Sequence, residues 1–121
     1  MNKEDLPILV SIIIPHHNNK DILLDCLKSL YQSSYQNFEI IIVDNASSDD
    51  SINYVHIDYP EVKIIQSLKN LGYAGGCNLG AKDAKGEYLF FLNNDTILDE
   101  HCIRKLVEKL KSDSKINSVQ P

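Results

Sequence analysis

Four short apolar runs divide the chain: Val10 to Ile14, Glu39 to Val43, Val62 to Ile65 and Tyr88 to Leu92. Runs of this length and composition predict strands, and near-continuous apolar strands are usually buried on both faces. Apolar residues at helical spacing fill the gaps. Leu23, Leu27, Leu30 and Tyr31 form one stripe, and Asn18 or Asn19 can cap it. The cluster Ser47-Ser48-Asp49-Asp50 predicts the start of a short helix carrying Ile52, Val55, His56 and Tyr59, which stops before Pro60. Asn70 to Gly76 reads as a Gly-rich loop, followed by a helix through Leu79 and Ala81 that ends on Gly86. Asp99 can cap a last helix with Ile103, Leu106, Val107 and Leu110 on one face. Pro15 is expected to stop the first strand, and Asn117 to Pro121 could begin a fifth.

Strands alternating with helices predict an α/β fold, a mostly parallel sheet with helices on both faces. In such a sheet the carboxyl ends of the strands share one rim, where ligands bind. Three polar clusters follow strands here: His16-His17-Asn18, Asp44-Asn45 and Asn93-Asn94-Asp95. Each has two readings. Asn and Asp are good turn residues because they bond their own backbone; Asp44 and Asn93 to Asp95 can be only that. Alternatively, carboxylates and amides gathered on one rim form a ligand crevice. His16 and His17 point to opposite sides if the chain is extended there.

Composition narrows the ligand. The chain has 121 residues, enough for a single domain over residues 1–121, with 43% hydrophobic and 24% charged residues. Its net charge is -5 and its signs are interspersed, so no basic patch invites nucleic acid. Cys26, Cys77 and Cys102 show no zinc or CxxC spacing and read as small core residues of a reducing, cytoplasmic environment. The run Leu6 to Ile14 is not a signal peptide, because Glu4 and Asp5 occupy the would-be basic region and no small-residue cleavage site follows. No run has the length of a membrane span. The first strand leads into Pro15-His16-His17 where a dinucleotide site would have GxGxxG, and there is no P-loop sequence. A diphosphate would then need a divalent metal, magnesium or manganese, for which Asp95 offers a hard oxygen ligand.

The motifs resemble a known family. Val10-Ser-Ile-Ile-Ile-Pro15 with Asn18, then Ile41-Ile-Val-Asp-Asn-Ala-Ser-Ser-Asp49, is similar to the opening of family 2 glycosyltransferases of the GT-A fold. Asn70, Gly72, Gly76, Asn78 and Gly80, followed by Gly86-Glu87-Tyr88, resemble that family's next block, and Phe91-Leu-Asn-Asn-Asp95 falls at its DxD motif. The wording from Asn70 to Asn78 resembles the rhamnosyltransferase-like branch. The resemblance implies a Rossmann-like nucleotide-binding half and transfer of a sugar, with inversion, from a nucleoside-diphosphate sugar to an acceptor hydroxyl. It implies that Pro15 and His16 border the nucleobase, with Asn18 beside them. Asp44 would accept from a base N–H, as suits UDP- or dTDP-sugars. Asn70, Gly72 and Asn78 would shape the loop beside the nucleotide, with Asn93 near the ribose, Asn94 among the nucleotide-sugar-binding residues and Asp95 on the metal. A saccharide or lipid-linked glycan acceptor, in cell-envelope polysaccharide synthesis, would follow, with membrane association of the whole enzyme.

Two departures qualify the resemblance. Asn93 replaces the first carboxylate of the DxD motif, and an amide brings no negative charge to a metal. Nothing after Asp95 resembles the family's catalytic base, so none is assigned within the chain. The expectation is a donor-binding half, truncated before the acceptor region, that binds nucleotide without efficient transfer and self-associates through apolar surface near Val119. The alternative is a non-catalytic nucleotide-sugar binding module.

Overall fold

The structure, a computed structural model, describes residues 8–120. Four parallel strands, β1 (Val10–His16), β2 (Phe38–Asn45), β3 (Lys63–Ser67) and β4 (Tyr88–Phe91), form one sheet in the order β3–β2–β1–β4. The helices are α1 (Lys20–Tyr31), α2 (Ser51–Asp58), α3 (Gly72–Asp83) and α4 (Cys102–Ser112). The order of elements is the expected one.

Side-chain alternation along the strands divides the core. Val10, Ile12, Ile14, Ile40 and Ile42 pack with Leu23, Cys26, Leu27 and Leu30 of α1, Ile52 and Val55 of α2, and Ile103 and Val107 of α4. Ile13 and Val43 face the other way, toward α3. That helix lies so close that a Cβ on Gly80 would come within 2.5 Å of Ile13 Cγ2 and 3.1 Å of Val43 Cγ2.

Several details differ from expectation. β1 runs through Pro15 to His16. Backbone groups of successive strand residues face alternate neighbours. Val10 N–H donates to Asn37 O beside β2, whereas Ile13 O accepts from Leu92 N–H beyond β4. Pro15 shares the parity of Ile13, so its missing N–H faces the side on which β4 pairing has ended at Ile13–Phe91. No ladder bond is lost there.

The Gly-rich segment is not a loop: α3 begins at Gly72. It ends at Asp83 with Ala84 extended, so Gly86 is not its cap. Gly86 instead lets the chain cross β1 closely. Its Cβ would lie 2.6 Å from Ser11 N, and its N–H donates to Ser11 Oγ at 2.8 Å. Ser11 in turn donates to Glu39 Oε2 at 2.6 Å.

The fourth strand is not buried on both faces. It is one edge of the sheet, with β3 at the other, and Leu89 and Phe91 are 44% and 43% exposed. Their register with Ser11 and Ile13 puts them on the face of α3, which packs chiefly on β1 and β2. On the other face, α4 and the chain up to Gln120 leave a cavity of about 820 Å³ against Tyr88 and Phe90. Residues 117–120 form no strand, and Pro121 lies outside the described residues.

Candidate functional site

β1 ends on His16, which is 1% exposed. An imidazole at this depth needs partners for both nitrogens. Asn94, in the turn after β4, places Nδ2 at 3.0 Å from Nδ1. An amide N–H can only donate, so Nδ1 accepts and Nε2 carries the proton. Nε2–H then donates to Ser51 Oγ at 2.9 Å, at the start of α2. Ser51 Oγ–H donates to Asp49 Oδ1, which also accepts from Ser51 N–H at 3.1 Å. Burial lowers the pKa of His16 below its ordinary value and outweighs the opposing fields of Asp44 and Asp49, with His17 adding to the lowering. Burial alone would raise the Asp49 carboxyl, but hydrogen bonds from Ser51 and Asn19 and the nearby His16 bring it below the usual range.

The next residues join β1 to β2. Asn18 and Asn19 both have positive φ, 55° and 70°, which Asn tolerates better than most residues. Asn18 Oδ1 accepts from Ser48 N–H at 2.8 Å and Asp49 N–H at 3.2 Å. Asn18 N–H donates to Ser47 Oγ at 2.8 Å. Asp44, 5% exposed, accepts from Ser47 N–H at 3.2 Å. His17 projects outward and donates through Nδ1 to Asn45 O at 2.7 Å. Asn19 caps α1 by accepting from Ile22 N–H.

Asn45 fastens the third element of the rim. Its Oδ1 accepts from Leu71 N–H at 3.3 Å, and its Nδ2 donates to Gly72 O at 3.2 Å. Asn70 Oδ1 accepts from Gly72 N–H at 2.8 Å. Gly72 has φ 76°, a conformation that costs other residues strain. The start of α3 is thus tied to the end of β2.

The turn after β4 is held more lightly. Thr96 N–H donates to Asn93 O at 3.2 Å, and the Cys26 thiol points at the same oxygen from α1 at 3.9 Å. Burial pushes the pKa of Cys26 up to about 12, and the charge of Asp95 adds to it. Asn93 and Asp95 are exposed.

Pro15, His16, Asn18, Asp44, Asn70, Gly72, Asn93, Asn94 and Asp95 therefore stand on the strand-end rim or the loops that join it. Asn78 does not. Gly76 and Gly80 turn toward the sheet, whereas Asn78 between them is exposed. The motif reading missed Asn45 and the pair Asp49–Ser51. Asn45 belonged to a polar strand-end cluster and was open to detection. Nothing in the sequence marks Ser51, because only the packing brings the buried His16 imidazole to it.

Among the described residues no group of three His, Cys, Asp or Glu side chains could enclose a metal ion. One exposed carboxylate, Asp95, does fit a cation shared with the phosphates of a ligand, since magnesium-like ions commonly take one or two protein carboxylates and complete their shell from phosphate and water. No helix among the described residues is long and apolar enough to cross a membrane.

The family model for glycosyl transferase family 2 matches residues 11–121. Glycosyltransferase GlyG of Streptococcus pneumoniae is 30% identical over 106 residues, which are 85% of this chain and 35% of the relative. The Escherichia coli protein named UDP-Glc:alpha-D-GlcNAc-diphosphoundecaprenol beta-1,3-glucosyltransferase WfaP is 39% identical over 88 residues, 72% of this chain and 35% of its own length. Among solved structures, S. aureus TarS in complex with UDP superimposes with a TM-score of 0.78 at 24% identity, over 87% of this chain and 32% of that one. The mannosyltransferase PcManGT from Pyrobaculum calidifontis, in complex with GDP-Man and Mn2+, gives 0.79 at 20% identity over 88% and 33%. These structures share the fold of this chain, which spans only about a third of the length of these relatives.

Proposed function

The chain belongs to glycosyl transferase family 2, and from that premise we propose that it is the donor-binding half of an enzyme that transfers a sugar, with inversion, from a nucleoside-diphosphate sugar to an acceptor hydroxyl. One observation carries the reading. The ends of β1, β2 and β4 are linked through Asn94, His16, Ser51, Asn18 and Asp44 into one polar rim. Packing alone gives no reason to gather these groups at three strand ends, whereas a ligand crevice does.

On this reading Asp44 accepts from a base N–H of a UDP- or dTDP-sugar, beside Pro15 and the backbone at His16. Asn18 keeps the loop over residues 44–49 in place for that contact. Asn70 and Gly72 shape the approach to the nucleotide, and the Asn93–Asp95 turn meets the ribose and the diphosphate. Asn78, exposed on α3, would shape the same approach from within the helix. A magnesium or manganese ion on Asp95 would stabilise the charge of the leaving diphosphate. Asn93 supplies hydrogen bonds without charge, so the ion depends on the diphosphate for most of its shell. The acceptor in this proposal is a saccharide or lipid-linked glycan of the cell envelope.

The test is a thermal-shift screen of UDP-, dTDP- and GDP-sugars, each with and without Mn2+. A ligand that binds the folded state raises the midpoint. The expected result is a rise with a uridine or thymidine donor, larger with the metal, and absent in Asp44→Ala. No rise with any donor at millimolar concentration would overturn the proposal.

A further inference from the structure

The chain Asn94–His16–Ser51–Asp49, buried at His16 and Ser51 and ending on the exposed Asp49, crosses the rim from the β4 turn to the start of α2. Its direction is set at both ends. Asn94 Nδ2 can only donate, and the Asp49 carboxylate can only accept. Each group between them must therefore accept on the β4 side and donate on the α2 side. Ser51 is 0% exposed, at the base of this chain.

We infer that Asp49 and Ser51 are positioning residues. They hold His16 in the Nε2–H tautomer, so that its Nδ1 lone pair fixes Asn94 and with it the turn bearing Asn93 and Asp95. The two sides of the rim, one carrying Asp44 and the other Asp95, then keep a set separation through a single imidazole. The inference deepens the donor-binding reading and rests on it for its consequence, namely that diphosphate affinity depends on a serine no ligand can touch. The tautomer itself does not depend on that reading.

If Ser51 lost its hydroxyl, Nε2–H would have no acceptor. The ring could then move its proton to Nδ1, where it would meet the N–H of Asn94 and break the link to the turn. Asp44, Asp49 and His17 are the charged and titratable groups acting on His16. Replacing Ser51 leaves all three in place.

The experiment compares the parent chain with Ser51→Ala, Ser51→Thr and Asn94→Ala. Long-range 1H–15N correlation spectra identify which ring nitrogen of His16 carries the proton, and the Asn94 side-chain amide signals report its hydrogen bond. Isothermal titration with UDP plus Mn2+ reports affinity. The parent should show protonated Nε2. Ser51→Ala should mix the tautomers, release the Asn94 amide and weaken UDP–Mn2+ binding roughly fivefold, the size of one lost hydrogen bond. Asn94→Ala should weaken binding similarly while leaving the tautomer alone, and Ser51→Thr should restore both readouts. A parent with the proton on Nδ1, or a folded Ser51→Ala with unchanged Asn94 signals, overturns the inference. Should the parent bind no nucleotide, the donor-binding reading fails and the spectra still decide the tautomer and the Asn94 link. If Ser51→Ala does not fold, Ser51→Thr and Asn94→Ala decide: an unrestored tautomer in Thr, or an altered one in Asn94→Ala, counts against it.

Discussion

At the ends of β1 and β2, nearly every polar group is committed within the fold. Asn18 bonds three groups of the loop over residues 47–49, Asp44 holds Ser47, and Asn45 holds both Leu71 and Gly72. The turn after β4 has one side-chain link across the rim, from Asn94 to His16, and its strand is half-exposed at the sheet edge. The first region is held by many bonds, and the second is held to it chiefly through the single Asn94–His16 link. A nucleobase needs fixed donors and acceptors, because a misplaced buried partner is costly. On the proposed reading, the diphosphate with its cation would bring its own strong field to a turn whose position rests on that one link.

The difference should appear first in stability. Ile42 is fully buried in a central strand, and Ile42→Ala should cost about 3 kcal/mol, the usual range for a buried large-to-small change. Phe91→Ala on the edge strand should cost about 1 kcal/mol or less, because the ring is already half in water. Chemical denaturation of both variants checks the contrast, and equal losses would remove it. Next in size, Gly80→Ala should destabilise by about 2 kcal/mol, since its Cβ would overlap two well-packed side chains. A calorimetric midpoint equal to the parent's would show that α3 can retreat from the sheet.

A third expectation concerns pH. The pKa of His16 is lowered in the fold from 6.5, so below 6.5 the unfolded chain binds the proton that the folded chain refuses. The unfolded state then holds more protons, and stability falls as pH drops below 6.5, by at most about 1.4 kcal/mol per pH unit for one site. Asp49 also has a lowered pKa, but its loss lies below 3.8, in a separate window. Denaturation midpoints between pH 7 and pH 5 should decline in the parent and decline less in His16→Gln. The smallest effect is expected at the lightly held side. Asn93→Asp adds a carboxylate beside Asp95 and should tighten Mn2+ binding in the presence of UDP by a few-fold, in the range of a partly exposed charge pair. Titration calorimetry reads this, and unchanged metal affinity would mean that Asn93 does not face the ion.

Much of this was legible from the chain itself. Residue types at the strand ends already named the rim, because buried apolar strands cannot end on His, Asp and Asn without placing them together. The strand at Tyr88 misled because an apolar run reports an averse solvent, not the number of neighbours, and Leu89 and Phe91 have a neighbour on one side only. The Gly-rich segment misled for a related reason. Glycine lowers helix propensity, but Gly76 and Gly80 are there because no larger residue fits between α3 and the sheet.

The sequence by itself determined the order of elements, the parallel sheet and the polar composition of the rim, since hydrophobic period and turn chemistry are local properties. Only the tertiary structure decided which strands became the edges, why Pro15 could remain in β1, and that a serine and an aspartate join His16 and Asn94 in one hydrogen-bonded chain. Those depend on which neighbour each backbone and side-chain group meets, and that is settled by packing between segments distant in the chain.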